Sequence, residues 1–354
     1  MSILENTLYK EDIEKVLSKL SLEQLKDKSL LITGGLGLIC SSIADVLIVA
    51  NQKYGLNMCI YIAARSRSKF EERFGTQVNL KYVAYDATQD VSFDFNVDYI
   101  IHGASLASPD KYTAEPVETM LSNIKGINNL LAYAKRNKVN RVLYISSSEV
   151  YGQKTTEEPF VEEVYGVLNI DSIRSSYAVS KQAAELLCKA YSLEYCVDTV
   201  IARPGHVYGP TASPMDKRVS SDFAFKVANQ VPLILKSSGL QKRSYCYCLD
   251  VAAALLTILL KGDCAESYNV GTREVLTIKD MATIYAQAGN VPLKYTLPTE
   301  EEISAFNPMN NSSLNCDKLY SLGFQSLFPA QEGMEHTVRI LRECQKRRAN
   351  RSKL

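Results

Sequence analysis

A short apolar run, Ser29-Leu30-Leu31-Ile32-Thr33, gives way at once to Gly34-Gly35-Leu36-Gly37-Leu38-Ile39-Cys40 and then to an apolar stretch beginning near Ser41. No other segment restricts the fold as much. The first run has strand length, the glycines permit a tight turn, and the stretch that follows is long enough for a helix. A strand, glycine turn and helix in this order open a dinucleotide-binding unit, because missing side chains let the backbone approach a pyrophosphate at the helix N-terminus. Cys40 fills the third glycine position and is small enough for close packing of helix on strand.

The same alternation continues. Further strand-like runs lie at Met58–Ala64, Leu80–Tyr85, Val97–Ile101, Arg141–Ile145 and Asp198–Ala202, with helical signals over about 113–136 and 219–230. Strands alternating with helices predict a doubly wound parallel α/β sheet, whose ligands bind outside the carboxyl ends of the strands. The second strand ends in Ala64-Arg65-Ser66-Arg67, where an acidic residue would accept from a ribose 2′-hydroxyl. Arg65 suits a 2′-phosphate instead, so NADP is favoured and NAD stays open. The third strand delivers Asp86, a candidate acceptor for an adenine amino group, and the fourth runs into His102-Gly103-Ala104-Ser105. The fifth ends in Ser146-Ser147-Ser148-Glu149-Val150-Tyr151-Gly152.

Tyr177-Ala178-Val179-Ser180-Lys181 puts a phenol and an ammonium four residues apart, on one face of a helix. Free tyrosine titrates near ~10, and a lysine cation one turn away favours the phenolate. Ser147 can share the proton while a hydride leaves the same substrate carbon.

Composition sets the bounds. The 354 residues are 46% hydrophobic and 22% charged, with 40 basic against 39 acidic side chains. That balance suits a globular chain and gives no broad footprint for nucleic acid or an acidic membrane. No apolar run reaches the ~18 residues needed to span a bilayer, and no secretory leader pattern opens the chain, so the cytoplasm is the expected location. Nine cysteines without a Cys-x-x-Cys argue against a disulfide framework or zinc site, and Cys246 and Cys248, in a strand-like stretch, read as a packed core pair. Three histidines, at 102, 206 and 336, are too dispersed for a metal, so none is expected. Ile13, Val16, Leu17 and Leu20 recur at helical spacing in an N-terminal extension, residues 1–26, expected on the outside of the domain.

Together the motifs resemble the extended short-chain dehydrogenase/reductase family, in its nucleotide-sugar epimerase, dehydratase and decarboxylase branch. The matching pieces are Thr33 through Ile39, Asp86, His102-Gly103-Ala104, Asn123 with Gly126, Ser147 through Gly152, Tyr177 with Lys181, and Arg203-Pro204-Gly205-His206-Val207-Tyr208-Gly209-Pro210. Arg243 before Tyr245, Asp250, Tyr268-Asn269-Val270-Gly271 and Asp317-Lys318-Leu319 before Gly323-Phe324 complete them. The likeness runs from about residue 27 to 342, and the order and spacing of the pieces are more specific than any one of them.

The resemblance implies a Rossmann domain over residues 27–210 plus about 240–262. It implies an interleaved substrate-binding lobe over about 211–239 and 263–345, and a basic tail at 346–354. An NAD(P) cofactor would be held by Gly34, Leu36, Gly37, Leu38, Ile39, Arg65, Ser66, Asp86, Ala87, Gly103, Ala104, Asn123, Tyr177, Lys181, Pro204, His206 and Val207. The substrate would be a nucleoside-diphosphate sugar, met by Ser105, Ser147, Ser148, Glu149, His206, Arg218, Lys236 and Arg243, with Arg243 on the phosphates. In the resemblance Tyr177, Lys181 and Ser147 oxidise the sugar at C4, and Glu149 serves a following elimination or decarboxylation. The alternative is a 4-epimerase or 4-keto reductase, and a cofactor-binding protein without catalysis is a more distant reading. The Ser148-Glu149 pair is similar to that of UDP-glucuronate decarboxylases, whereas 4,6-dehydratases carry Asp-Glu. Decarboxylases have Asn and Arg around Gly-Pro where this chain has His206 and Thr211, and Asn310 to Asn315 lacks an arginine that relatives carry. A homodimer through helices near 113–136 and 177–195 is also implied.

Overall fold

The computed structural model describes residues 3–154, 156–297, 299 and 310–351. Residues 298 and 300–309 of the expected lobe, residues 1 and 2, and 352–354 of the expected tail lie outside these. The first strand, β1 (Ser29–Thr33), runs into α2 (Leu38–Tyr54), preceded by α1 (Thr7–Leu17). β2 (Cys59–Ala64), α3 (Arg67–Phe74), β3 (Leu80–Ala84), β4 (Tyr99–His102), α4 (Pro109–Ala114), α5 (Pro116–Asn137) and β5 (Arg141–Ile145) follow. Next come α6 (Ser175–Tyr195), β6 (Thr199–Pro204) and, further on, α8 (Cys248–Lys261) and β11 (Ser267–Val270).

Seven strands pair in the order β11-β6-β5-β4-β1-β2-β3, all parallel. This is a Rossmann-like sheet, with the strand order reversing between β1 and β4. Alternation along the strands splits the core. Leu31, Ile100, Val142 and Ile201 pack toward α5 and α6; Ile32, Ile101, Leu143 and Val200 pack toward α2 and α8.

The N-terminal helix packs one face on the core and leaves Lys10, Glu11, Glu14 and Lys15 exposed: Ile13 and Val16 are wholly buried, the Tyr9 hydroxyl donates to Asp45 of α2 at 2.9 Å, and the Tyr247 hydroxyl donates to Asp12 at 2.9 Å. Two expectations shift. β11 falls in the span expected for the lobe yet forms the outer strand of the main sheet, pairing Ser267–Val270 with Ile201–Pro204; all four residues are buried and cover the edge of β6. Cys246 and Cys248 are both buried, but Cys248 opens α8 rather than extending a strand.

The remaining elements are β7 (His206–Tyr208), α7 (Val219–Ala228), β8 (Leu233–Leu235), β9 (Lys242–Arg243), β10 (Tyr245–Tyr247), β12 (Leu276–Thr277), α9 (Ile278–Gly289), β13 (Leu293–Tyr295) and α10 (Asp317–Ser321). α11 (Ala330–Arg351) follows and carries Lys346-Arg347-Arg348 as helix. Arg342 of α11 donates to the carbonyls of Val227 and Gly289 at 3.1 and 2.7 Å, neutralising the C-terminal ends of α7 and α9. Among the described residues no helix is long and apolar enough to cross a membrane.

Candidate active site

At the end of β1 the chain turns through Gly34, whose φ of +68° disfavours any side chain. A Cβ on Gly34 would stand 2.7 Å from the carbonyl of Gly103 and 2.8 Å from the nitrogen of Ala104, so β1 and β4 meet backbone to backbone here. Cys40 explains the departure from a third glycine: its sulfur occupies the space that a Cβ on Gly103 would need. Close approach has moved from the helix to the neighbouring strand. Gly37 caps α2 without a side-chain hydrogen bond, leaving the orphan N–H groups of the first turn open to an anion. Leu38 and Ile39 begin that turn, and Leu36 lies on its approach.

Beyond β2, Arg65 is exposed and Ser66 caps α3 by accepting from the Lys69 N–H at 3.3 Å. Asp86 Oδ1 accepts from the Thr88 N–H and hydroxyl at 2.9 and 2.8 Å. Those bonds, and then Arg65, hold its carboxyl below the usual range. Ala87 backs this corner, so close to α5 that a Cβ on Gly126 would stand 3.0 Å from its own. An ionised acceptor, an exposed guanidinium and an uncapped helix N-terminus fit a dinucleotide.

The Tyr177 and Lys181 side chains arise from the first two turns of α6 and are both buried. The Lys181 ammonium donates to the Ile145 carbonyl at 2.8 Å, at the end of β5, and lies 5.8 Å from the centre of the Tyr177 ring. Burial pulls the lysine down to about 7, opposed chiefly by Glu185. Burial likewise pushes the Tyr177 phenol up to about 12; a hydrogen bond with Ser147 lowers it, Glu149 raises it and Arg218 lowers it. The lowering influences thus come from Ser147 and Arg218 rather than from Lys181. Glu149 does not sit on an extended segment: Ser147 Oγ accepts from its N–H at 3.2 Å and turns Ser148–Tyr151 into a short 3-10 helix. Asn123 donates to Ser180 at 2.9 Å and keeps a buried Oδ1 without a partner. Ser105 Oγ is also buried and unpartnered, at the end of β4.

Pro204, His206 and Val207 bridge β6 and β7. The His206 ring packs edge-on to Tyr245 at 5.7 Å with a buried, unpartnered Nδ1. Burial, Arg243 and Arg218 together push it down to about 3, so it is neutral at ordinary pH. Arg243 is buried on β9 and donates to the Lys242 carbonyl at 2.8 Å, and its charge reaches both His206 and Glu149. Arg218 grips Asp216 through its Nε at 3.0 Å, and still influences Tyr177 and His206. Lys236 stands exposed after β8. Thr211 donates to the Leu38 carbonyl at 3.0 Å and meets Ser42 at 2.9 Å, which ties it to the start of α2.

Sequence reading did not single out Tyr112 or Arg174. The Tyr112 ring stacks on Tyr177 with centroids 5.1 Å apart and 15° between planes; 65 residues of separation hid that contact. Behind the site, Arg203 is wholly buried and donates to Glu185 at 2.6 Å, to the hydroxyls of Tyr151 and Tyr165 at 3.0 Å, and to the Glu162 carbonyl at 2.9 Å. It ties α6, the 3-10 turn and the intervening loop to β6.

A parallel sheet of this order, with a glycine cradle at its switch point, defines a Rossmann-type dinucleotide-binding protein. Residues 30–271 match the NAD dependent epimerase/dehydratase family, and the chain belongs to it. It is 32% identical over 253 residues to UDP-glucuronic acid decarboxylase 6 of Arabidopsis thaliana, covering 72% of each chain. It is 28% identical over 331 residues to human (Homo sapiens) dTDP-D-glucose 4,6-dehydratase, covering 89% of this chain and 90% of the other. The UDP-N-acetylglucosamine 4-epimerase of Methanobrevibacter ruminantium M1, solved with UDP-N-acetylmuramic acid, superposes with a TM-score of 0.75 at 25% identity, over 90% of this chain and 99% of the other.

Proposed function

We propose that the protein oxidises a nucleoside-diphosphate sugar at C4 and then eliminates water across C5 and C6 or releases the C5 carboxylate as carbon dioxide. The observation that carries this reading is the convergence of Ser147, Glu149, Tyr177 and Lys181 at the carboxyl end of β5, beside the glycine cradle. NAD(P) would supply a hydride acceptor and return the hydride at the end of turnover. Tyr177 takes the C4 hydroxyl proton, and Ser147 hydrogen-bonds the same oxygen. Lys181, and Asn123 through its unpartnered Oδ1, would hold the cofactor's ribose and nicotinamide. Glu149 takes or gives the proton in the second step, and the similarity to a decarboxylase and a 4,6-dehydratase supports a lyase step over plain epimerisation.

On the lobe side Arg243, Arg218 and His206 would meet the diphosphate, Ser105 and Ser148 the sugar, and Lys236 the outer phosphate edge. Exposed Arg65 favours NADP. Val117 and Leu121 on α5, with Leu186 and Leu193 on α6, are exposed and supply an apolar face for a second copy of the chain.

The test is incubation of the purified protein with UDP-, dTDP-, CDP- and GDP-sugars. A 4-keto product identifies a dehydratase, carbon dioxide a decarboxylase, and a C4 stereoisomer alone the epimerase alternative. Tyr177→Phe is expected to lower turnover by roughly 10²–10⁴-fold; unchanged turnover refutes the reading.

A further inference from the structure

Arg174 stands immediately before α6, where it serves as the N-cap residue without a side-chain capping bond. A cation is disfavoured at that end, because the helix dipole presents positive charge there. Something must offset it. Its guanidinium lies 3.7 Å from Glu149 Oε1, with both side chains about two-thirds covered (33% and 34% exposed), and 5.7 Å from the centre of the Tyr112 ring. Tyr112, 2% exposed, stacks in turn on Tyr177. Contacts therefore run Tyr177 to Tyr112 to Arg174 to Glu149, and the charge of Glu149 acts back on Tyr177.

Resting on the reading of Tyr177 as the proton carrier, we propose that Arg174 and Tyr112 are positioning residues of the reaction centre. Arg174 offsets the Glu149 carboxylate beside the phenol, and Tyr112 fixes the plane of the phenol ring. Neither needs to touch substrate. Glu149 disfavours the phenolate and the Arg218 cation favours it; Arg174 adds a second cation, paired with the Glu149 carboxylate itself. A lysine would preserve that balance, and a neutral residue would not.

The experiment labels the full chain with 3-fluorotyrosine, whose phenol titrates below tyrosine's, and follows each site by ¹⁹F NMR against pH, with Tyr177→Phe assigning the resonance. Arg174→Gln should move the Tyr177 titration up by about half a pH unit or more and Arg174→Lys should leave it in place, since one unit is about 1.4 kcal/mol of differential charge interaction. Glu149→Gln should move it down. Tyr112→Phe should keep the Tyr177 chemical shift, and Tyr112→Leu should displace it by loss of the ring current. An unmoved titration in Arg174→Gln, or an equal shift in Arg174→Lys, overturns the proposal. The pH dependence of turnover separates it from the reading beneath: a titration that moves while turnover ignores Tyr177→Phe leaves the cluster standing and removes its catalytic role.

Discussion

Gly103→Ala tests whether Cys40 and Gly103 are complementary halves of one contact. A Cβ on Gly103 would overlap the Cys40 sulfur, while its next neighbours are ordinary or only slightly tight, Ile145 Cδ1 at 3.2 Å and the Thr33 carbonyl at 3.5 Å. The obstacle is therefore one atom. Forcing a methyl into such a site costs about 1–3 kcal/mol, and because Gly103 lies in the glycine cradle, dinucleotide binding should weaken with it, tenfold for each ~1.4 kcal/mol. Cys40→Ala alone removes one buried heavy atom and should cost about 1 kcal/mol. With the sulfur gone, the same Gly103→Ala change should cost less than about 0.5 kcal/mol, giving a coupling of roughly 0.5–3 kcal/mol in a double-mutant cycle. Urea unfolding of the four proteins, with calorimetric titration of NAD+, measures both quantities. Gly34→Ala serves as the control: its Cβ would meet the backbone of Gly103 and Ala104 at a φ of +68°, and Cys40→Ala should not rescue it. If Gly103→Ala costs as much without the sulfur as with it, the contact has been misread.

Arg203 and Glu185 form a buried pair, so Glu185→Gln, which leaves the guanidinium uncompensated, should lower stability by about 3–5 kcal/mol; a urea midpoint within error of the parent contradicts this. Burial, with a smaller push from Lys181, holds His102 at about 3 against an ordinary 6.5. Between those values the unfolded chain binds a proton that the folded chain does not, so stability is full above 6.5 and falls as pH drops toward 3. At pH 5 this one residue should account for about 2 kcal/mol of the loss, and His102→Gln should flatten the slope between pH 7 and 5; equal slopes in both proteins exclude it. Arg65→Gln should weaken NADP+ roughly tenfold or more and leave NAD+ unchanged, and parallel changes in the two Kd values argue that Arg65 does not meet the 2′-phosphate.

Local chemistry was legible in the sequence wherever a run of neighbours carries it. Ser29 through Cys40 announces strand, turn and helix, and the four-residue spacing of Tyr177 and Lys181 places both side chains on one helix face, because backbone periodicity depends on consecutive residues alone. Contacts between distant segments were not legible. That Gly103 makes room for Cys40, that Tyr112 stacks on Tyr177, that Glu149 leans on Arg174 and that β11 completes the main sheet all depend on which side chains meet after the chain has crossed over itself. Ionisation belongs to the same group, since a phenol at about 12, a lysine at about 7 and an imidazole at about 3 are set mostly by how much water the surrounding helices exclude. Residue order selected the cofactor cradle and the candidate proton carriers; only tertiary packing decided their neighbours and their charge, because desolvation and through-space contact have no counterpart along a chain.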